Sequence, residues 1–164
     1  MSFACEFVDS SFFLAMHSTD EPVRIACKNY FIERAHSEIF MSLEHVGWCD
    51  DVIWSYSREK QDAYFPFMDQ LHTDLNIHRL RYEDEDLRCA IEAQTLRRLD
   101  LFNRLLVAMV VRRGGVLYTV NEELLVQDGI PVKQYTSDKE PRWSPQKRPY
   151  MVGSKPANGT AVWD

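Results

Sequence analysis

Carboxylates and amides fall at four separated places in this chain: Asp9, Glu44, the pair Asp100 and Asn103, and the run Asn121-Glu122-Glu123. Acids brought close together raise one another's pKa unless a cation neutralises them. Hard oxygen donors of this kind suit Mg²⁺ or Mn²⁺. Such ions activate water and stabilise an in-line displacement at phosphorus. The set therefore outlines one chemistry, metal-dependent phosphodiester hydrolysis, with Asp9, Glu44 and Asp100 as its catalytic acids and Asn103, Asn121 and Glu122 or Glu123 completing the ligands. Ser10 and Ser11, beside Asp9, and Thr119 are hydroxyls placed to contact a phosphate.

Bringing these residues to one place is a task for the elements around them. "CEFVD" (Cys5–Asp9) reads as a buried strand ending in its acid, and "SSFFLAMHS" as a short helix. Asp20-Glu21-Pro22 opens a second helix with an N-cap, an acid and an early proline. "EIFMS" (Glu38–Ser42) is a second strand, and Ser42 is placed to cap a long helix from Leu43 that Pro66 should kink or divide. "NIHRLRY" (Asn76–Tyr82) alternates as a strand. An acid-led helix is expected over Glu83–Leu99, its acids at the positive end of the helix dipole, and a strongly apolar helix over Asp100–Arg113. "VLYT" supplies a fourth strand and "IPVKQY" (Ile130–Tyr135) an edge strand, because Pro131 cannot serve a central one.

Strands alternating with helices predict a three-layer α/β/α domain on a mostly parallel sheet of four to five strands. Sites in such sheets lie beyond the carboxyl ends of the strands, where Asp9, Ser42 and Thr119 would all stand. The expected organisation is a domain over 1–135 and a basic, proline-rich arm over 136–164, in which Trp143, Tyr150 and Trp163 are interleaved with Arg and Lys.

The 164 residues are 45% hydrophobic and 27% charged, enough for one domain with a real core. No apolar run approaches the ~18–20 residues of a membrane span, and the N-terminus lacks the basic region of a signal peptide. Cys5, Cys27, Cys49 and Cys89 have no metal-ligand spacing, so they read as core thiols of a reducing, cytoplasmic protein. The histidines show no paired spacing and read as surface or cap residues. From Pro131 onward six basic residues face three acidic ones, a net of +3; with −6 overall, Met1–Ile130 carries −9. An acidic body is a poor general binder of nucleic acid.

Four passages together resemble the PIN-domain family of small metal-dependent ribonucleases: "FVDSSFFLA", "EIFMSLEHV", "DLFNRLLVAMVVRRGGVLYTVNEELL" and "GIPVKQY". The resemblance spans roughly Cys5 to Tyr135 and is most specific in the third passage. It implies a Mg²⁺ or Mn²⁺ site, RNA as substrate, and a homodimer or a protein partner. It places Asp9 on the family's first acid. Asn103 and Asn121 stand where the family has acids, and the second acid normally lies later in its helix than Glu44, nearer Trp48. Two lost charges weaken metal binding, but Glu44, Asp100 and Glu122 or Glu123 each stand beside a missing acid and can shift the site.

Every one of these residues also has a plainer role. Asp9 and Asn121 can cap the helices that follow them, and Glu44, Asp100, Glu122 and Glu123 can answer helix dipoles. Three readings stay open at this stage. One is a divergent PIN-like ribonuclease with a partly degraded acidic site. Another is an inactive PIN-like module that binds protein, RNA or nucleotide. The third is an accessory factor or enzyme acting on a small molecule in the same cleft.

Overall fold

The computed structural model describes residues 5–137. The expected arm therefore lies almost wholly outside the described residues. Five strands form one sheet: β1 (Glu6–Val8), β2 (Glu38–Ser42), β3 (Asn76–Leu80), β4 (Val116–Tyr118) and β5 (Val132–Lys133). Their order is β3-β2-β1-β4-β5, and every neighbouring pair is parallel. β1 is central, and β5 takes the edge that Pro131 required.

Alternation along the strands divides the core in two. Val8, Ile39 and Met41 face one layer, with Phe12, Tyr30, Phe31, Cys49 and Ile53. Phe7 and Leu117 face the other, with Leu96, Leu106, Met109 and Leu124. The first layer holds α1 (Ser10–Leu14), α2 (Glu21–Glu33), α3 (Leu43–Trp54) and α4 (Arg58–Asp74). The second holds α5 (Asp84–Glu92), α6 (Leu101–Arg112) and α7 (Glu122–Leu125). The result is the expected α/β/α sandwich on a parallel sheet.

Two expectations need correction. The long helix from Leu43 is divided at Ser55–Ser57, not at Pro66, which sits inside α4. The break is closed by Gln61, whose amide donates to the carbonyls of Trp54 and Tyr56 at 3.1 and 3.0 Å. The Trp54 carbonyl is one that the end of α3 leaves unsatisfied, and that of Tyr56 belongs to the turn between the two helices. The helix from Glu83 ends at Glu92 rather than Leu99, because Ala93 turns extended and starts a short 3-10 turn. That turn buries Leu96, and the Arg104 guanidinium donates to the freed carbonyls of Leu99 and Arg97. Arg112 and Arg113 both donate to the buried Asp86, at 2.6 and 2.8 Å. All three arginines thus hold the fold together.

The turn from α6 into β4 needs its two glycines. Gly114 has φ +59°, in the left-handed region, and a Cβ on Gly115 would stand 2.7 Å from the carbonyl oxygen of Cys5 and 2.8 Å from the Phe7 ring. This contact sets the register of β4 on β1. Gly115→Ala should therefore destabilise the fold by about 1–3 kcal/mol, the usual cost of overpacking a close contact. Chemical denaturation checks this; a loss below ~0.5 kcal/mol would show that β4 can shift freely.

Candidate functional site

The carboxyl edge of the sheet gathers a knot of polar side chains. Asp9, 1% exposed, ends β1 and caps α1. Its Oδ1 accepts from the Phe12 amide at 2.8 Å and from the Ser11 hydroxyl at 2.7 Å. Its Oδ2 accepts from the Thr119 hydroxyl at 2.5 Å, and Thr119 is wholly buried at the end of β4. Ser11 and Thr119 oxygens lie 3.0 Å apart. The Val120 and Asn121 amides then donate to Ser11 and Thr119, at 3.3 and 2.9 Å. Burial raises the Asp9 pKa above the usual carboxylate range, although Thr119, Phe12 and Ser11 all pull it down.

The other candidates lie differently. Glu44, in the first turn of α3, is exposed. Asp100 is the exposed N-cap of α6 and accepts from the Asn103 amide N–H at 3.1 Å and from the Asn103 side chain. Burial alone would raise the Asp100 pKa, but those hydrogen bonds bring it below the usual range. Asn103 is buried and its side-chain amide is turned to Asp100. Asn121 caps α7, accepting from the Glu123 N–H at 3.0 Å, and Glu122 and Glu123 are exposed in that first turn. The structure therefore joins Asp9, Ser11 and Thr119 directly, pairs Asp100 with Asn103, and leaves Glu44, Glu122 and Glu123 facing solvent.

One residue that the sequence reading set aside is at the centre. His45, read as a surface or cap residue, is 2% exposed. Ser42 caps α3 and turns His45 inward, on the stripe that buries Cys49 and Ile53 at successive i+4 steps. That stripe was the signal available in the sequence. The His45 Nδ1 accepts from the Ser10 N–H at 3.1 Å and lies 3.0 Å from the Ser10 hydroxyl, so Ser10 is buried with it. Nδ1 as acceptor leaves the proton on Nε2, which is buried with no partner among the described residues. The ring stacks on Phe102 at 4.1 Å, and the half-exposed Trp48 lies 5.7 Å from the same ring. Burial lowers the His45 pKa to about 4, against a weaker upward pull from Asp100.

The fold places this molecule among proteins of PIN-like architecture. VapBC2 from Rickettsia felis, in a structure bound to a DNA fragment from its promoter, is similar over 80% of this chain and 98% of its own, with TM-score 0.61 and 11% identity. DNA-bound VapBC from Salmonella typhimurium matches over 80% and 98%, with TM-score 0.59 and 14% identity. PAE2754 from Pyrobaculum aerophilum matches over 79% and 83%, with TM-score 0.53 and 17% identity. At such identities the likeness concerns the fold alone. By sequence, the chain belongs to the family of unknown function DUF6190, whose model matches residues 1–150. A search of the curated proteins finds no match.

The donor set does not fit the hard divalent ion that the PIN resemblance implies. Among the described residues no three His, Cys, Asp or Glu side chains gather closely enough to hold a metal. Asp9 spends its charge on two hydroxyls and an N–H. The α3 side chains that reach this end of the strand are the Cys49 thiol and the His45 imidazole, which is bonded to Ser10, stacked on a phenyl ring and held neutral.

Neutral burial of His45 has a pH signature. Its folded pKa lies below the unfolded value of 6.5, so below pH 6.5 the unfolded chain takes up a proton that the folded site refuses. The stabilisation is complete above pH 6.5 and is lost as the pH falls toward about 4. The loss amounts to at most ~3 kcal/mol, since each pKa unit is worth ~1.4 kcal/mol. His45→Gln should lose less stability than the parent between pH 7 and pH 4.5, by ~2 kcal/mol in urea titrations. Parallel slopes for the two proteins would contradict a buried neutral imidazole.

Proposed function

We propose that this PIN-like domain acts as a binding module for a protein partner, and that metal-dependent RNA hydrolysis is not its activity. The observation that carries this reading is the engagement of the Asp9 carboxylate. A nucleophile-activating metal needs a carboxylate free to face it. Here the first acid is 1% exposed and tied to Ser11, Phe12 and Thr119, and the next residue, Ser10, is bonded to the neutral imidazole of His45. In this reading Ser10, Ser11 and Thr119 hold the strand ends together, and Asp100, Asn103 and Asn121 act as helix caps.

The surface above this edge favours a protein over RNA. Trp48 and Leu101 are 50% and 64% exposed around the partly buried Phe102. Exposed acids border them. Glu44 and Asp51 lie on the Trp48 stripe of α3, Asp50 is close by, and Asp100 precedes Leu101. An aromatic platform ringed by carboxylates attracts apolar and basic side chains, and an Arg can stack on the indole. The same negative field repels a phosphate backbone. The partner surface this chemistry fits is therefore a protein segment that combines Leu-like and Arg-like side chains.

Two measurements test the reading. Single-stranded RNA incubated with the protein should be cleaved no faster in Mn²⁺ than in EDTA; Mn²⁺-dependent cleavage that Asp9→Asn abolishes would overturn the loss of hydrolysis. A fluorescent Arg/Leu-rich model peptide should bind at least tenfold more tightly than an oligouridylate or an acidic peptide of equal length, and Trp48→Ala should weaken it about tenfold, a change of ~1.4 kcal/mol. Tighter binding of the oligouridylate would favour an RNA-binding role instead.

A further inference from the structure

A second apolar feature lies on the outer side of the first helical layer. A groove of ≈ 260 Å³ runs between α2 and α4, floored by Met16, Phe31, Phe67 and Leu71, with Ile32 on its wall and Lys28 and Asp74 at its rim. It falls below the ~300–1,000 Å³ of typical small-molecule sites, so it suits one or two side chains better than a ligand. Nothing in the proposed binding surface uses it.

The chain itself leads there. After β5 it crosses α2, where the Tyr135 hydroxyl donates to Glu33 and the Tyr135 ring packs 5.4 Å from Tyr30. At Ser137, the last described residue, it is bonded to Asn29 of α2 at 2.9 Å. Lys28 and Ile32, which line the groove, are on the stripe of α2 adjacent to Asn29. The next aromatic residue is Trp143, six positions on, and six extended residues span at most ~20 Å. That is ample to pass around a helix ~10–12 Å across. Residues 138–150 also lie within the span of the family model, so the stretch containing Trp143 and Tyr150 belongs to the family's shared sequence and is not an appendage of this chain.

Charge and composition agree. Residues 138–164 carry five basic side chains (Lys139, Arg142, Lys147, Arg148, Lys155) against three acidic ones (Asp138, Glu140, Asp164), a net of +2; with −6 overall, residues 1–137 carry −8. Opposite net charges attract, and burial of an indole in an apolar groove contributes ~25 cal/mol for every Å² removed from water. We propose that the segment Pro141–Tyr150 folds back across α2 and seats Trp143 in the α2–α4 groove of the same chain. This inference is independent of the proposed partner-binding surface, which lies on α3 and α6.

Replacing Trp143 in the full chain by the photo-crosslinking residue benzoylphenylalanine tests it, because a change outside the described domain leaves the core intact. Illumination followed by mass spectrometry should give crosslinks within one chain to peptides covering residues 28–35 and 67–75. Ile32→Arg, which puts a charge on the groove wall, should reduce that yield at least fivefold, while circular dichroism confirms that the domain remains folded. If Ile32→Arg does not fold, the same probe at position 163 serves as the control and should give those peptides at least fivefold less often. Crosslinks between two chains, crosslinks spread over other peptides, or equal yields from positions 143 and 163 would overturn the proposal.

Discussion

The structure hangs on a buried carboxyl group at the end of its central strand. Asp9 is the N-cap of α1, and its other oxygen accepts the hydroxyl of Thr119 from the neighbouring strand β4. A carboxylate out of water is costly unless donors replace its hydration. Here Ser11, Phe12 and Thr119 supply them. The same bonds tie β1 to β4 at the edge where parallel sheets bind their ligands. Thr119 and Ser11 in turn accept the amides that start the turn into α7. One side chain therefore ends a strand, starts a helix and joins two crossover units. These are the duties of a structural residue, performed where a related fold can hold a catalytic one.

The neighbouring groups settle into the same pattern. Three of the exposed acids near the edge stand in the first turn of a helix or cap one: Glu44 on α3, Asp100 on α6, Glu122 on α7. There the helix dipole accounts for the charge without a cation. Between α3 and α6 stands His45, neutral and stacked on Phe102. Its imidazole accepts from Ser10, the residue after Asp9, and carries no charge there. The surface above the edge is aromatic and apolar, with acids around it.

Much of the fold was legible in the sequence. The strands read as ending at Asp9, Ser42 and Thr119 announce themselves by apolar runs closed by a polar residue, and Pro131 marks the edge strand. Asp20 and Ser42 cap the helices they were expected to cap. The failures arose where a distant side chain decides a boundary. Gln61 closes α3 by reaching back to Trp54 and Tyr56, and Arg104 holds the carbonyls freed when α5 ends early. No local pattern reveals such reach. The candidate site was legible in location but not in chemistry. Sequence places Asp9, Asn103 and Thr119 along one edge, but cannot say that Asp9 turns to Thr119, or that the Asn103 amide turns back to Asp100. The burial of His45 is legible in its i+4 stripe with Cys49 and Ile53, although histidine by type suggests a surface residue.

The central claim is that Asp9 is a structural anchor and not a metal ligand. Calorimetric titration of Mn²⁺ into the parent protein and into Asp9→Asn addresses it directly. The same weak binding isotherm is expected for both, because the ion finds only exposed acids that the substitution leaves intact. A parent affinity tenfold or more above that of Asp9→Asn would mean that the carboxylate faces an ion, and the account would fail.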